Sequence, residues 1–299
     1  MSALTGLICP NLTPFNKDLS IAMDLYIEHA NRMLDAGCSA LAPFGTTGEA
    51  LSIGMDERME VLEAMVDAGI DPAKLVPGTG LTNLQDTAKL CSHAIEMKCA
   101  GVMVLPPFYY KGVSDEALFQ YFSALIGMVN SPALKIYLYH IPPVAQVPVS
   151  VELTARLAKA FPGTVVGIKD SSGDWNNTKR LLTEVKGIAI FPGSENPLID
   201  ALALGAPGCI SATANINAEN IIRCYKAAGT PEAARLQQQI RAYRQPFQDL
   251  GAIPAQKWML AHQTGEPRWK IVRPPLLALS DEKGKELLKR LETVLEPAE

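Results

Sequence analysis

The sequence contains little that would suit a membrane or a nucleic acid. No stretch of about 18 consecutive apolar residues occurs, which argues against a membrane-spanning helix. The 27 Lys and Arg residues are nearly balanced by 31 Asp and Glu residues, and no block of about five or six like charges appears. The N-terminus has no basic segment ahead of a long apolar one, so we expect no secretory signal. We therefore expect a cytoplasmic protein with no membrane or nucleic-acid partner.

Patterns of metal ligands are also missing. Six cysteines occur without a Cys-x-x-Cys pair, which favours buried thiols in a reducing compartment. Of the four histidines, only His140 falls at the end of a predicted strand, while the others lie in helical patterns. We expect no metal site, which disfavours catalysis by a divalent metal.

What the sequence does have is a regular alternation of short apolar runs and amphipathic segments. Eight apolar runs, spaced roughly 20–35 residues apart, predict strands that alternate with helices. They cover residues 7–11, 39–43, 75–78, 101–105, 134–139, 164–169, 188–191 and 208–212. Eight such units predict an α/β fold in which a parallel sheet closes into a (β/α)8 TIM barrel. An open doubly wound sheet is the competing fold, but no glycine-rich dinucleotide-binding turn follows the first strand.

The C-terminal part of the chain keeps a helical period without further strands. Helical patterns cover residues 231–250, 253–263 and 281–295. A barrel does not need these helices, so they predict a C-terminal helical extension. For a chain of 299 residues with 48% apolar side chains, we expect a catalytic barrel domain over residues 1–228 and the extension over residues 229–299.

Lys169 is the strongest candidate for a chemical role. Active sites of (β/α)8 barrels lie at the carboxyl ends of the strands, and Lys169 closes the apolar run 164–169. Strand alternation predicts Val165, Gly167 and Lys169 on one face, with Gly167 leaving room beneath the lysine. Poor solvation would lower the pKa of this lysine, and a neutral amine can attack a carbonyl to form a Schiff base. An ion pair with a nearby carboxylate is the alternative role.

Tyr139 and His140 close the fifth predicted strand. Tyr139 falls on the face opposite to Leu138, and a phenol there can pass protons only if suitable partners surround it. The alternative is an aromatic ring that fills the barrel mouth. His140 points away from Tyr139 by strand alternation, which favours a loop histidine bonded to the backbone.

The turn after the second strand is a candidate anion site. It reads Gly45-Thr46-Thr47-Gly48-Glu49. Two glycines permit a tight turn, and consecutive N–H groups with two hydroxyls suit a carboxylate or a phosphate. Such turns are common, so this pattern carries little weight by itself.

Taken together, these segments resemble the dihydrodipicolinate synthase / N-acetylneuraminate lyase family of Schiff-base aldolases. The similarity covers nearly the whole chain, in the family's order and spacing, and it favours Lys169 as a nucleophile over the ion-pair alternative. The matching segments are Thr13-Pro14-Phe15, Gly45-Thr46-Thr47-Gly48-Glu49, Tyr139-His140-Ile141-Pro142, Gly167-Ile168-Lys169-Asp170-Ser171-Ser172 and Arg273-Pro274-Pro275.

The resemblance implies roles for the matching residues. Lys169 would form an imine with the ketone of pyruvate or a 2-keto acid, and Tyr139 would be the acid/base for imine formation and carbon–carbon bond cleavage or formation. Thr46 and Thr47 would bind the substrate carboxylate, and Thr47 would help to pass protons to Tyr139. A second tyrosine, best matched by Tyr109, would enter this relay from a neighbouring subunit of a homotetramer built as two tight dimers. No metal or organic cofactor is implied, because a protonated imine is itself an electron sink.

Further residues near the strand ends are predicted to contact substrate. They are Gly45, His140, Ser171, Ser194, Glu195 and Ile210. Among them, the segment with Ser194 and Glu195 could bind hydroxyl groups of a polyol.

Two departures from the family pattern narrow the predicted function. Dihydrodipicolinate synthases carry an arginine shortly after the tyrosine motif, which holds the carboxylate of the aldehyde substrate. Here residues 142–146 contain no arginine, and His140 replaces the usual asparagine. The sequence therefore favours an aldolase that acts on a short 2-keto-3-deoxy or 4-hydroxy-2-keto acid, with pyruvate as the imine partner.

Three alternatives stay open at this point. The chain could be a 4-hydroxy-tetrahydrodipicolinate (dihydrodipicolinate) synthase despite the departures. It could be a dehydratase or deaminase that uses the same imine but breaks another bond. In a different class, it could be a non-catalytic paralogue that binds a keto acid without turnover.

Overall fold

Short parallel strands and longer helices alternate along the chain in the computed structural model, which describes residues 4–295. The strands are β1 (Gly6–Cys9), β2 (Ala40–Leu41), β3 (Val102–Val104), β4 (Ile136–His140), β5 (Val165–Asp170), β6 (Ala189–Pro192) and β7 (Gly208–Ile210). The helices are α1 (Met23–Asp35), α2 (Met55–Asp67), α3 (Leu84–Glu96), α4 (Asp115–Val129), α5 (Pro142–Ala145), α6 (Val151–Ala160), α7 (Trp175–Glu184), α8 (Leu198–Ala203), α9 (Ala214–Lys226), α10 (Ala233–Asp249), α11 (Ala252–Thr264) and α12 (Asp281–Leu295).

The strands form the predicted (β/α)8 barrel. β1 pairs in parallel with β2 and β7, and β3, β4, β5 and β6 pair in that order. Residues 75–78, predicted as the third strand, make isolated parallel bridges instead, from Leu75 to Leu41 and from Gly78 to Met103. Pro77 has no N–H group to donate, which interrupts the ladder at this point. The segment still joins β2 to β3, so eight parallel segments surround the interior.

A register shift between β4 and β5 changes which side chains of β5 face inward. Ile136 pairs with Val165, whereas Tyr137 pairs with Gly167, so Val166 is left over at this point. Val165 consequently packs with the helices, and Val166 packs against the interior cluster of strand residues. The predicted alternation was wrong for this pair.

Beyond this shift, β5 alternates as predicted. Ile168 packs with the helices, while Lys169 pairs with the inward-facing Tyr139. The space over Gly167 is filled by the ring of Tyr137, because a Cβ at Gly167 would lie 2.5 Å from Tyr137 Cδ1. The glycine thus accommodates a neighbouring aromatic ring rather than the lysine stem, which corrects the predicted reason for it.

A buried histidine ties α1 to the carboxyl end of β1. His29 Nε2 lies 2.7 Å from Asn215 Oδ1, and Arg32 Nη2 lies 2.9 Å from His29 Nδ1. Since the guanidinium can only donate, Nδ1 accepts and Nε2 carries the proton of a neutral ring. Asn215 in turn accepts the N–H of Leu12 and donates to the carbonyl of Pro10. This network fixes the chain where it leaves β1 and enters the barrel mouth.

The stability of this network is expected to depend on pH. Burial lowers the pKa of His29 from 6.5 to about 3, and the Arg32 charge also lowers it, whereas the hydrogen bond that His29 donates to Asn215 opposes the shift. The unfolded chain therefore takes up a proton as the pH falls through about 6.5, whereas the folded chain does not. The free energy of unfolding should fall by about 2 kcal/mol between pH 6.5 and roughly pH 5, measured by urea titration. The non-titrating variant His29→Gln should lose this part of the pH dependence, and an unchanged slope would contradict the assignment.

The predicted C-terminal helical extension is formed by α10, α11 and α12 with the segments between them. α10 packs against α8 and α9 of the barrel, and α11 also packs against α9. The extension has its own apolar cluster, which includes Phe247, Trp258, Met259 and Leu287. The division of the chain at residues 228 and 229 stays a prediction. None of the described helices combines the length and the hydropathy of a transmembrane span.

Candidate active site

Lys169 and Tyr139 lie side by side at the carboxyl ends of β5 and β4. Lys169 Nζ lies 3.4 Å from Tyr139 Oη and 4.5 Å from the centre of the phenol ring. The lysine is only 3% exposed, and within residues 4–295 no ion pair to it is found, so the ion-pair alternative has no support. An amine whose neighbouring polar group is a phenol has the arrangement of a nucleophile beside a proton carrier.

The turn after β2 brings a threonine to the same phenol. Thr46 Oγ1 lies 3.2 Å from Tyr139 Oη, so the phenol stands between a threonine and the lysine. The N–H of Gly48 donates back to the carbonyl of Gly45 and closes the turn. In the described part of the chain, no acceptor bonds to the N–H groups of Thr46 and Thr47. The two N–H groups and the Thr47 hydroxyl therefore remain available for an anion.

The end of β1 supports this turn. A Cβ at Gly48 would lie 2.7 Å from the carbonyl oxygen of Asn11, so only glycine fits without displacing backbone. Thr13 Oγ1 donates a 2.8 Å hydrogen bond to the Gly48 carbonyl. Through this hydrogen bond, the segment after β1 holds the Gly45–Glu49 turn in place.

The lysine and the phenol line a cavity of about 1010 Å³. This volume is at the upper end for small-molecule sites, and it leaves room for a substrate larger than pyruvate. Thr46 and Thr47 line the same cavity. The remaining wall mixes polar and apolar side chains, among them Ser171, Ser194, Asn196, Arg241, Arg244, Ile141, Val144, Trp175, Ile253 and Leu276.

Arg244, on α10 of the extension, is held in the cavity wall by a buried carboxylate. Its Nη1 lies 3.0 Å from Glu195 Oε2, and the hydroxyls of Ser211 and Thr213 donate to the same carboxylate. Glu195, predicted to contact substrate, is 0% exposed and faces this network. Arg244 lines the cavity, and its buried Nε has no partner within the described residues. Glu195 therefore lies behind the cavity wall, and Arg244 is part of the wall itself.

His140 lies behind the reacting groups. Its Nδ1 accepts the N–H of Val149 at 2.9 Å, and its Nε2 is 3.9 Å from Asp170 Oδ1. Burial lowers the pKa of His140, and the charge of Asp170 opposes that shift. The ring thus ties the loop after β4 to the ends of β4 and β5. It matches the predicted loop histidine bonded to the backbone, and it is not among the side chains that line the cavity.

The other predicted contacts fall into two groups. Ser171 and Ser194 line the cavity, and Gly45 lines a small adjoining crevice of about 20 Å³. Ile210 is 1% exposed and packs in the barrel interior away from the cavity wall. Tyr109 is 75% exposed and does not line the cavity of its own chain.

The two cavity arginines were missed by sequence reasoning. Arg241 and Arg244 lie three residues apart, so they share one face of α10. That spacing is visible in the sequence, but the sequence predicts this helix to belong to the C-terminal extension rather than to the site. Nothing in the local pattern shows that this helix reaches the carboxyl ends of the strands.

Comparison with known proteins gives a consistent picture. The chain matches the Dihydrodipicolinate synthetase family over residues 3–294. It is 32% identical over 286 residues to an uncharacterized DapA-like lyase of Chloroflexus aurantiacus, and the match covers 94% of each chain.

Two solved structures extend the similarity to three dimensions. The crystal structure of dihydrodipicolinate synthase from Agrobacterium tumefaciens is 35% identical with a TM-score of 0.89, covering 98% of this chain and 100% of that one. YagE, a prophage protein of the dihydrodipicolinic acid synthase family from E. coli K12 in complex with pyruvate, is 25% identical with a TM-score of 0.88. That match covers 98% of this chain and 99% of YagE.

Proposed function

Because the chain belongs to the dihydrodipicolinate synthetase family, we propose that Lys169 forms a Schiff base with the ketone of a 2-keto acid. The family assigned from the sequence motifs is confirmed, and the chain is a lyase. The pyruvate complex of YagE supports pyruvate as the imine partner. The observation that carries the proposal is the 3.4 Å approach of Lys169 Nζ to Tyr139 Oη in the wall of a large cavity.

Imine formation needs a neutral amine and a carrier of protons. Lys169 Nζ attacks the keto carbon, and the carbonyl oxygen leaves as water after it has been protonated. Tyr139 Oη lies within reach of the amine, and the hydroxyl of Thr46 contacts the same phenol oxygen. The resemblance assigned part of this relay to Thr47, whereas the contact with the phenol is made by Thr46. We assign the substrate carboxylate to the free N–H groups of both threonines and to the Thr47 hydroxyl.

Carbon–carbon cleavage then uses the protonated imine as an electron sink. Tyr139 takes the proton of the 4-hydroxyl group, the C3–C4 bond breaks, and an aldehyde leaves. The bonding electrons move into the imine as an enamine. Protonation at C3 and hydrolysis release pyruvate and restore the lysine. The reverse sequence forms the bond.

The cavity wall supports a short hydroxylated substrate. Ser171, Ser194 and Asn196 offer donors and acceptors for hydroxyl groups beyond the ketone. We propose a 2-keto-3-deoxy or 4-hydroxy-2-keto acid as the substrate. Dehydration of such an acid through the same imine remains a second outcome of the same site.

A second candidate is a 4-hydroxy-tetrahydrodipicolinate synthase. Residues 142–146 form α5 and its C-terminal cap without an arginine. Arg244 nevertheless lines the cavity, and its guanidinium is the kind of group that binds the carboxylate of an aldehyde. Glu195 already pairs with the Arg244 guanidinium, which leaves less positive charge for a substrate carboxylate and weakens the case for a synthase.

A panel of substrates distinguishes these reactions. Release of pyruvate from 2-keto-3-deoxygluconate or from 4-hydroxy-2-keto acids, followed with lactate dehydrogenase, is the expected result. A product that has lost one water, detected by mass spectrometry, would indicate the dehydratase. Condensation of pyruvate only with an aldehyde that carries a carboxylate would indicate the synthase. Saturable binding of pyruvate without turnover of any compound would favour the non-catalytic paralogue.

We also propose that the site is completed in a homotetramer built as two tight dimers. Tyr109 is 75% and Tyr110 72% exposed, and their rings meet edge to face at 5.7 Å. The crevice beside Thr46 is bordered by Leu51, which is 59% exposed. Exposed aromatic and apolar side chains of this kind mark contact surfaces. A second copy of the chain would cover them and bring its Tyr109 towards the phenol of the first.

Mixing of inactive variants tests this arrangement. Tyr109→Phe is expected to lower kcat by about 10²-fold, because a proton carrier is lost. Co-expression of Tyr109→Phe with Lys169→Met should then recover about a quarter of wild-type activity, because half of the dimers are mixed and each contains one intact site. Activity is measured after purification through two different affinity tags. No recovery in mixed tetramers would contradict a shared site.

Buried thiols support the proposed cellular location. All six cysteines are buried and free. Burial raises the pKa of Cys91 to about 11 and that of Cys99 to about 12, so these thiols stay protonated and unreactive at neutral pH. Such thiols suit a reducing compartment, and we propose the cytoplasm.

A further inference from the structure

A fully buried ion pair joins the helical extension to the anion-binding turn. Lys257 Nζ of α11 lies 2.5 Å from Glu49 Oε1, and both side chains are 0% exposed. Burial lowers the pKa of Lys257 to about 8, and the Glu49 carboxylate opposes that shift, so the lysine is charged at neutral pH. Glu49 follows directly on the turn that carries Thr46 and Thr47.

The second oxygen of this carboxylate is held by another part of the extension. Glu49 Oε2 accepts the backbone N–H of Arg273 at 3.0 Å. The cations of Lys257 and Arg273 lie 4.5 Å and 4.6 Å from the ring centre of Phe15. Phe15 belongs to the segment after β1 that also supports the turn through Thr13. The carboxylate is therefore fixed from two sides.

A buried ion pair of this kind is a weak source of stability. Removing two charges from water costs about as much as their attraction returns, so apolar residues of the same size would serve the fold equally well. Glu49 also has a φ of 57°, in the left-handed region that non-glycine residues seldom adopt. The pair therefore anchors a residue whose backbone conformation depends on its surroundings.

We propose that Lys257 is a positioning residue for substrate binding, because its ammonium holds Glu49 and hence the turn whose N–H and hydroxyl groups receive the substrate carboxylate. The extension then supports the site for the substrate carboxylate without contacting the substrate itself. This inference rests on the proposed function, since the carboxylate is that of pyruvate or another 2-keto acid.

The variant Lys257→Met removes the charge and keeps most of the side-chain volume. We expect the pyruvate concentration that half-saturates borohydride trapping to rise by about 10-fold or more, as for the loss of one or two hydrogen bonds to a charged group. The trapping rate at saturating pyruvate should stay within about 3-fold of wild type, because Lys169 and Tyr139 are untouched. Hydrogen exchange of the amides of residues 48–50, which are bonded within or next to the turn, should become faster.

A double variant separates positioning from stability. In Glu49→Leu/Lys257→Met neither partner of the pair is left as an unpaired buried charge, so Tm should recover part of the way towards wild type, short of the hydrogen bond that Arg273 N–H loses. The half-saturating pyruvate concentration should stay raised, because the tether to the extension is still missing. Recovery of Tm together with wild-type pyruvate binding would overturn the proposal. The double variant decides the question even if the single variant fails to fold.

Two controls complete this experiment. Leu287→Ala opens the apolar cluster of the extension without touching the turn, so it should lower Tm and leave pyruvate binding unchanged. A similar loss of pyruvate binding in that variant would also overturn the proposal. Failure of the wild-type protein to trap pyruvate would contradict the proposed function instead. Faster exchange in the turn of Lys257→Met would then still support the tether, and unchanged exchange would overturn it.

Discussion

Replacement of Lys169 by methionine is expected to abolish turnover, with kcat/KM lower by about 10⁴-fold or more. Methionine preserves the length of the side chain but has no amine, so no imine can form. Lys169 is 3% exposed and pairs with Tyr139 and Phe191 on the neighbouring strands, so we expect an apolar side chain of similar length to fit there. The measurement is a rate with the substrate that the panel identifies, at concentrations above KM.

Lys169→Arg is the matched variant for the electrostatic alternative. Arginine keeps the positive charge but does not lose its proton in proteins, so it cannot act as a nucleophile. If Lys169 only supplied a charge to the substrate carboxylate, this variant would keep a substantial part of the activity. The Schiff-base account predicts that it is as inactive as Lys169→Met. Turnover by Lys169→Arg within about 10-fold of wild type would contradict that account.

Removal of the Tyr139 hydroxyl is expected to have the second largest effect. Tyr139→Phe should lower kcat by about 10²–10⁴-fold, which is the usual contribution of one acid/base group. The ring packing is preserved, while the oxygen that lies between Thr46 Oγ1 and Lys169 Nζ is lost. KM should change little, because the carboxylate site on the turn stays intact. Steady-state kinetics and the rate of borohydride trapping measure the two effects separately.

Tyr137→Phe provides the control for Tyr139→Phe. Tyr137 is on the same strand and faces the same interior, but it is not among the residues that line the cavity. Burial raises the pKa of its phenol, so that group does not exchange protons easily. Activity of this variant should stay near wild type. Equal losses in both variants would indicate a packing effect rather than acid/base chemistry.

The fold and the reacting pair could be predicted because parallel strands end at one edge. The strands that carry Tyr139 and Lys169 are neighbours in the sheet and both end at this edge, so the two residues had to lie near each other once the barrel was assigned. The left-over residue Val166 was not predictable in the same way. Either register buries only valines, so the hydrophobic pattern does not choose between them.

The contributions of the extension could be predicted only in part. Lys257 lies among residues of α11 that are almost all buried, and a lysine inside an apolar helix pattern must have an acidic partner. Its partner Glu49 is 208 residues away, and no local pattern identifies it. The approach of Arg244 to the cavity was likewise not predictable, because long-range packing decides how a helix of the extension docks on the barrel. Strand alternation predicts that His140 bonds to the backbone, but only the structure identifies Val149 as its partner.

The most direct measurement is reductive trapping with mapping of the adduct. The wild-type protein is incubated with pyruvate, reduced with sodium borohydride, digested and analysed by mass spectrometry. The account predicts one reduced pyruvate adduct per chain, carried by the peptide that contains Lys169, and none in Lys169→Arg. An unmodified Lys169, or an adduct that forms equally well on another lysine, would contradict it.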